Sequence, residues 1–314
     1  MNRLGFIFSR RARRGAKHGK GAADPVKRGS RICHLLVAAA IVVISAPAIA
    51  QKVTVEDVTF LSSDGKTEVK GYLFKSGDQP AKLPAVVMMH GGAGAYSSLA
   101  KGKYDSATLS SRHKAWGELL ARNGYAALMV DDFGAVGFPS GFAGTSADRP
   151  AAIDPVDFRP LHAYGALQFL QTRADVNPTR VALLGWSHGA IATLAAMADD
   201  KPGNMRKLGF TAGVALYPDC GLKKRFEKDG YNPYNPVRVF MGTADEKVSP
   251  ELCQTFVDGS KAAGNDIALR MFEGATHSYD TPMKSRQSLA ANAEAKAATE
   301  ADVLAFLAAR LKGE

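Results

Sequence analysis

Val181-Ala182-Leu183-Leu184-Gly185-Trp186-Ser187-His188-Gly189-Ala190 decides how this chain is read. A short apolar run ends in Gly-x-Ser-x-Gly, and Ile191 and Leu194 follow among alanines at helical spacing. That is the layout of a nucleophile elbow, in which a strand stops, the backbone turns sharply and the serine is lifted onto the rim of a sheet. Glycines flank the turn because side chains there would collide with the neighbouring strand and helix. The pentapeptide alone arises by chance in roughly one 300-residue chain in ten. Its setting gives it weight: an apolar strand before it, entered through a turn at Asn177-Pro178-Thr179, and a small-residue helix after it.

Strand and helix patterns alternate outward from this point. Val53–Leu61 and Thr67–Phe74 read as strands joined by a turn at Ser63-Asp64-Gly65. Ala85–Met89 is a continuous apolar run of the kind buried on both faces of a sheet. A helix through Trp116, Leu119 and Leu120 stops at Gly124, followed by strand Ala126–Val130 and helix Leu161–Thr172. Beyond the elbow come strands Ala212–Tyr217, Val237–Met241 and Asp266–Phe272, with a helix near Pro250–Ala263. The Ala-rich stretch 290–298 reads as helix, and the C-terminal helix places Val303, Phe306, Leu307 and Leu311 on one face. Such alternation predicts an α/β fold with a mostly parallel sheet covered by helices on both faces. The segment from Gly134 to Pro160 is the exception. It is long, rich in Gly and Pro, and leaves the C-terminal end of a strand, where ligands bind in α/β proteins. Phe133, Phe138 and Phe142 either line a pocket there or anchor the loop.

A serine hydroxyl needs a base within reach and an acid to orient that base. In α/β-hydrolases these follow the nucleophile in the order acid, then histidine. Gly242-Thr243-Ala244-Asp245 follows one strand and Gly274-Ala275-Thr276-His277 follows another, so both loops open on the rim that carries Ser187. Asp245 is preferred over its neighbour Glu246 because it stands closer to the strand end. No other histidine of the mature chain occupies the third position in the order. The backbone N–H of His188 supplies one oxyanion donor, and Gly92, in His90-Gly91-Gly92-Ala93-Gly94, supplies the second. No metal or organic cofactor is implied, and no His/Cys cluster stands at ligand spacing.

The charge is unevenly spread. Residues 1–50 hold ten Lys or Arg against the single acid Asp24, which is +9 of the chain's formal +10. A nucleic-acid partner is therefore not implied, since the basic footprint lies outside the predicted domain. Lys27, Arg28 and Arg31 precede an apolar core at 35–44, and Ala48-Ile49-Ala50 is a small-x-small cleavage site before Gln51. Residues 1–50 thus read as an export leader and 51–314 as a single domain, periplasmic or secreted, with no stable membrane association after cleavage. An uncleaved anchor is the alternative, though the core is short for a membrane span. The long stretch before the leader's core is consistent with an internal start such as Val26, and Arg10-Arg11 stands too far from that core for a good twin-arginine signal. The mature chain keeps two cysteines, Cys220 and Cys253; an oxidising compartment points to a disulfide, with two buried free thiols the alternative. Closing that loop stabilises by roughly 3–4 kcal/mol in the chain-entropy model.

On His90-Gly91-Gly92, Gly124-Tyr125, Asp131-Asp132-Phe133-Gly134, the elbow from Arg180 to Gly189, Tyr217-Pro218, Gly242-Thr243-Ala244-Asp245 and Gly274-Ala275-Thr276-His277, the chain resembles the dienelactone hydrolase family of α/β-hydrolases over nearly its whole mature length. The resemblance implies an α/β-hydrolase fold without a large cap. It also implies pairing of the cysteine after Tyr-Pro with one in the following helix, here Cys220 with Cys253. The founding enzymes carry a cysteine nucleophile, a nearby glutamate and substrate-binding arginines. Ser187 stands at the nucleophile position, Gly91 where the glutamate is expected, and Val136 where exported relatives often carry arginine.

The sequence therefore predicts a serine hydrolase of small carboxylic esters or lactones working through Ser187, His277 and Asp245. A prolyl-oligopeptidase-like peptidase shares these motifs, but no propeller precedes the catalytic part. A catalytically silent binding module of the same fold is the rival of another class. Oligomeric state is not encoded legibly.

Overall fold

The computed structural model describes residues 52–77, 82–142 and 149–314. The leader predicted at 1–50 and the predicted cleavage junction at Gln51 lie outside the described residues, as does part of the long segment between Gly134 and Pro160. The eight strands are β1 (Val53–Leu61), β2 (Glu68–Ser76), β3 (Leu83–Met89), β4 (Ala126–Asp131), β5 (Val176–Trp186), β6 (Ala212–Leu216), β7 (Val237–Gly242) and β8 (Ile267–Phe272). They form one sheet in the order β1-β2-β4-β3-β5-β6-β7-β8. β1 pairs antiparallel with β2 and β2 with β4, while every other neighbouring pair is parallel.

The burial follows the residue choice. All six residues of β4 and all five of β6 are buried, as continuous apolar strands with helices over both faces must be. β1, at the edge, buries only Val58 and Phe60 and leaves the alternate positions Asp57, Thr59 and Leu61 exposed. The helices are α1 (Ser111–Arg122), α2 (Arg159–Thr172), α3 (His188–Met197), the short α4 (Met205–Leu208), α5 (Pro250–Ala262), the short α6 (Lys284–Gln287) and α7 (Ala290–Leu307). α1 packs on β2 and β4, α2 on β5, and α3 on β5 and β6. The starts of two helices are set by side chains: Ser110 accepts from the His113 N–H at α1, and Ser249 accepts from the Leu252 N–H at α5, with Pro250 at the first helical position.

Two local expectations change. Asn177-Pro178-Thr179, read as a turn before the central strand, lies inside β5. The pairing with β3 slips there between Leu83 and Ala85, because Pro178 has no N–H for the ladder and the Asn177 side chain accepts from the Thr179 N–H instead. Phe306, placed on the core stripe of α7 with Val303 and Leu307, is only half-buried. The guanidinium carbons of Arg238 and Arg310 stand 4.6 and 5.8 Å from its ring centroid, which suits a residue at the margin of the stripe. Cys220 and Cys253 form a disulfide with 5.0 Å between their Cα atoms, tying the loop after β6 to α5.

Candidate active site

The turn between β5 and α3 explains its own glycines. Ser187 sits at φ 50° and ψ −115°, a strained conformation for a residue with a Cβ. A Cβ on Gly185 would stand 2.2 Å from the Gly189 carbonyl oxygen, and one on Gly189 would stand 2.1 Å from the Met89 carbonyl oxygen. Neither neighbour can give way, since both are backbone. The turn therefore admits a side chain at Ser187 and none at the two glycines around it.

Ser187 meets the two side chains predicted for it. Its Oγ is 3.0 Å from His277 Nε2, and His277 Nδ1 is 2.8 Å from Asp245 Oδ2 and 3.0 Å from Oδ1. Asp245 leaves β7 and its carboxylate is aimed by the backbone, since Oδ1 accepts from the N–H groups of Lys247 and Val248. The side chain of Asp245 is fully buried, and that of His277 nearly so. Glu246, the competitor, takes a different part: its Oε2 accepts from the backbone N–H of His277 at 3.0 Å, fixing the loop rather than the ring. The edge of the Tyr217 ring packs against the His277 imidazole with centroids 4.8 Å apart.

On the other side of the serine, the loop from His90 to Gly94 lies against the elbow. A Cβ on Gly91 would contact Ser187 Cβ at 3.6 Å, and one on Gly92 would stand 4.0 Å from His188 Cβ. The structure thus places the two residues predicted as oxyanion donors, Gly92 and His188, side by side. A buried ion pair braces this loop. Arg159 donates to Asp132 through Nε at 2.6 Å and Nη2 at 3.0 Å, to the His90 carbonyl at 2.8 Å, and through Nη1 to His188 Nδ1 at 2.8 Å. Burial by itself would raise the Asp132 pKa, but Arg159 and His90 overcome it and hold the carboxyl well below its ordinary value. Burial, with Arg159 and Arg149 adding to it, pushes the His188 imidazole down to about 2. His188 is therefore neutral and, with Nδ1 accepting, carries its proton on Nε2.

Phe133 is an anchor rather than a pocket wall: fully buried, it packs edge-on to His90 at 4.6 Å and to His188 at 5.6 Å, with Arg159 over its ring. Phe138 and Phe142 pair with each other at 5.9 Å, and the Phe142 N–H donates to the Gly92 carbonyl. A cavity of about 600 Å³ opens beside the elbow, lined by His188 and Ile191 of α3, by Arg149 and Asp154 of the long segment, and by Leu222 and Lys223 of the loop after β6. Arg159 and Asp280, whose carboxylate accepts from Trp116, Trp186 and Tyr217, were not legible as site residues. Both are ionic groups at loop and helix boundaries whose roles depend on partners far away in the chain.

A sequence model of the dienelactone hydrolase family matches residues 69–311. Comparison with curated protein sequences returns no match. Among solved structures, a Klebsiella pneumoniae protein assigned as a dienelactone hydrolase superposes with a TM-score of 0.57 at 15% identity, covering 82% of this chain and 99% of its own. An esterase of Pyrococcus furiosus gives 0.55 at 18% identity over 82% and 93% of the two chains. A dienelactone hydrolase-like promiscuous phosphotriesterase from metagenomic libraries gives 0.56 at 20% identity over 81% and 98%. At these identities the likeness shows the fold, which is that of the α/β-hydrolases, with no large cap domain among the described residues. With its family model spanning most of its length, the chain belongs to the dienelactone hydrolase family of ester hydrolases.

Proposed function

We propose that the protein is an exported serine hydrolase of small carboxylic esters or lactones that works through an acyl-enzyme. One observation carries this reading: the continuous hydrogen-bond path from Ser187 Oγ through the His277 ring to Asp245, at 3.0 and 2.8 Å. His277 Nε2 takes the hydroxyl proton as Oγ attacks the ester carbonyl carbon. Asp245 keeps the other ring proton on Nδ1 and stabilises the imidazolium that forms. The backbone N–H groups of His188 and Gly92 receive the negative charge on the carbonyl oxygen; one such donor is typically worth roughly 10²–10³ in rate. Collapse of the tetrahedral intermediate expels the alcohol, which takes the proton from Nε2. Water then repeats the sequence on the acyl-serine and frees the acid. The leaving alcohol belongs beside His277, so the acid part extends the other way, toward the cavity beside His188, whose size suits a small group.

Export is part of the proposal. The basic segment, apolar core and small-x-small site of residues 1–50 support it, and so does the Cys220–Cys253 bridge, which needs an oxidising compartment to persist. A fluorophosphonate probe tests the chemistry: the wild type is labelled and Ser187→Ala is not. An unlabelled wild type would remove the serine from the mechanism. Turnover of p-nitrophenyl acetate without turnover of a prolyl-amide is the expected substrate pattern, and the reverse would favour a peptidase.

A further inference from the structure

Three residues beyond His277 lies a carboxylate that the mechanism above does not use. The Asp280 side chain is wholly buried. Its Oδ2 accepts from the indole N–H of Trp116 and from that of Trp186, each at 2.9 Å. Its Oδ1 accepts from the Tyr217 hydroxyl at 2.6 Å, and Arg112 Nε stands 3.5 Å from the same oxygen. Four donors and no acceptor surround it, which fits an acceptor-only carboxylate. Burial, opposed by Arg112 and reinforced by Asp280, keeps the Tyr217 phenol well above its ordinary pKa, so that group remains a donor.

These donors come from parts of the chain that must hold register for the site to work. Trp186 is the residue before Ser187. Tyr217, at φ 42° just past the end of β6, lays its ring edge on the His277 imidazole. Arg112 and Trp116 belong to α1, and Arg112 also donates to the Thr281 hydroxyl, clamping the loop that bears His277 from its far end. One carboxylate thus joins the nucleophile's strand, the wall of the base and the base's own loop.

We infer that Asp280 is a positioning residue for the hydrolytic reaction, holding Trp186 and Tyr217 so that His277 Nε2 stays aligned with Ser187 Oγ, and offsetting the charge of Arg112, which lies over the Tyr217 ring that the base packs against. The inference rests on the assignment of Ser187, His277 and Asp245 as the catalytic groups. The charged and titratable groups in contact with His277 are Asp245 and Glu246 from the loop after β7 and Tyr217 from the end of β6; Arg112 of α1 lies over the Tyr217 ring and Asp280 accepts from its hydroxyl. Arg286 of α6 lies behind Glu246, 3.8 Å from its carboxylate.

Asp280→Asn tests both parts, in the full chain, after fluorophosphonate labelling of the wild type and its loss in Ser187→Ala have secured the catalytic serine. The amide turns one acceptor into a donor facing donors. A misplacement of about 1 Å can cost roughly a hundredfold in rate, so kcat is expected to fall about ten- to a hundredfold while KM stays within about twofold. The asparagine also leaves Arg112 uncompensated over the Tyr217 ring, one ring removed from the imidazole. A nearby cation disfavours the protonated ring, so the acid limb of kcat/KM moves to lower pH, by roughly half a unit at this range. Arg112→Met removes the cation instead and moves the limb to higher pH, and the double variant returns it to its wild-type place. A folded Asp280→Asn enzyme with unchanged kcat and an unmoved acid limb overturns the inference. If that variant does not accumulate folded, Tyr217→Phe and Arg112→Met decide. The first is expected to lower kcat several-fold without a matching change in KM, and the second to shift the limb; neither change appearing overturns it equally.

Discussion

The two sides of Ser187 are built to opposite ends. On one side stand His277 and Asp245; in the proposed mechanism the ring gains and loses a proton at Nε2 while Nδ1 keeps its own, and the Asp245 carboxylate is aimed by two backbone N–H groups and meets no cation among the described residues. On the other side Arg159 and Asp132 form a wholly buried ion pair that grips the His90 carbonyl and the His188 ring. No proton has to move there. A fixed charge pair suits a loop that must present N–H groups without rearranging, since preorganised donors cost nothing at the moment of reaction. The proposed base, in contrast, has a partner without a cation among the described residues, which would let its own charge come and go.

The contrast can be broken most sharply by removing the mobile side. His277→Ala should lower kcat by several orders of magnitude, roughly 10⁴ or more, while the unfolding midpoint in urea stays near that of the wild type. Glu246→Gln should cost less than about tenfold, because Glu246 touches the loop backbone and not the ring. A large loss in Glu246→Gln with little in Asp245→Asn would reverse the assignment of the acid.

Removing the fixed side should show the opposite pattern, with stability lost first. Arg159→Met leaves the Asp132 carboxylate buried without its guanidinium partner and strips donors from the His90 carbonyl and His188 Nδ1. Breaking a buried pair in this way costs about 3–5 kcal/mol, read as a lower urea midpoint at unchanged slope. Pairing it with Asp132→Asn should recover part of that loss, and no recovery would mean that packing rather than charge holds the loop. Cys220→Ser with Cys253→Ser should lower stability by roughly 3–4 kcal/mol, and a smaller loss would indicate structure retained in the unfolded chain.

Acid should weaken the fold through two buried neutral histidines. Burial, with Arg112 beside it, pushes His113 down to about 3, and burial with Arg159 pushes His188 down to about 2. In the unfolded chain both titrate near 6.5. The unfolded state therefore takes up protons first as pH falls below about 6.5, and stability declines until the folded pKa values are reached. Between pH 6.5 and 5 each contributes a loss of about 2 kcal/mol. Urea midpoints measured across that window check it, and His113→Gln should flatten the slope by about half.

Why some of this was readable in the sequence and some was not follows from range. The elbow, the aspartate after β7 and the histidine after β8 each sit in a local strand-turn pattern, so residue order and spacing expose them. The disulfide was legible from cysteine number. Pro178 misled because a proline before a strand and a proline within a slipped strand leave the same local trace. Arg159 and Asp280 were hidden for a different reason. Arg159 and its partner Asp132 are 27 positions apart, and Asp280 and Trp116 are 164. Nothing in either neighbourhood marks a charge that is satisfied from so far away.

The rim of the cavity beside His188 carries a last consequence. Leu222, Lys223 and Lys224 hold φ of 40°, 52° and 65°, three successive left-handed residues with no glycine among them. Each such residue costs roughly 1–2 kcal/mol, and they begin two positions after Cys220, whose sulfur is tethered to α5. A wound spring of this kind keeps its coil while its end is pinned. In a compartment that keeps thiols reduced the pin would not form and the rim would be free to relax, so the shape offered to a guest molecule would depend on where the chain matured.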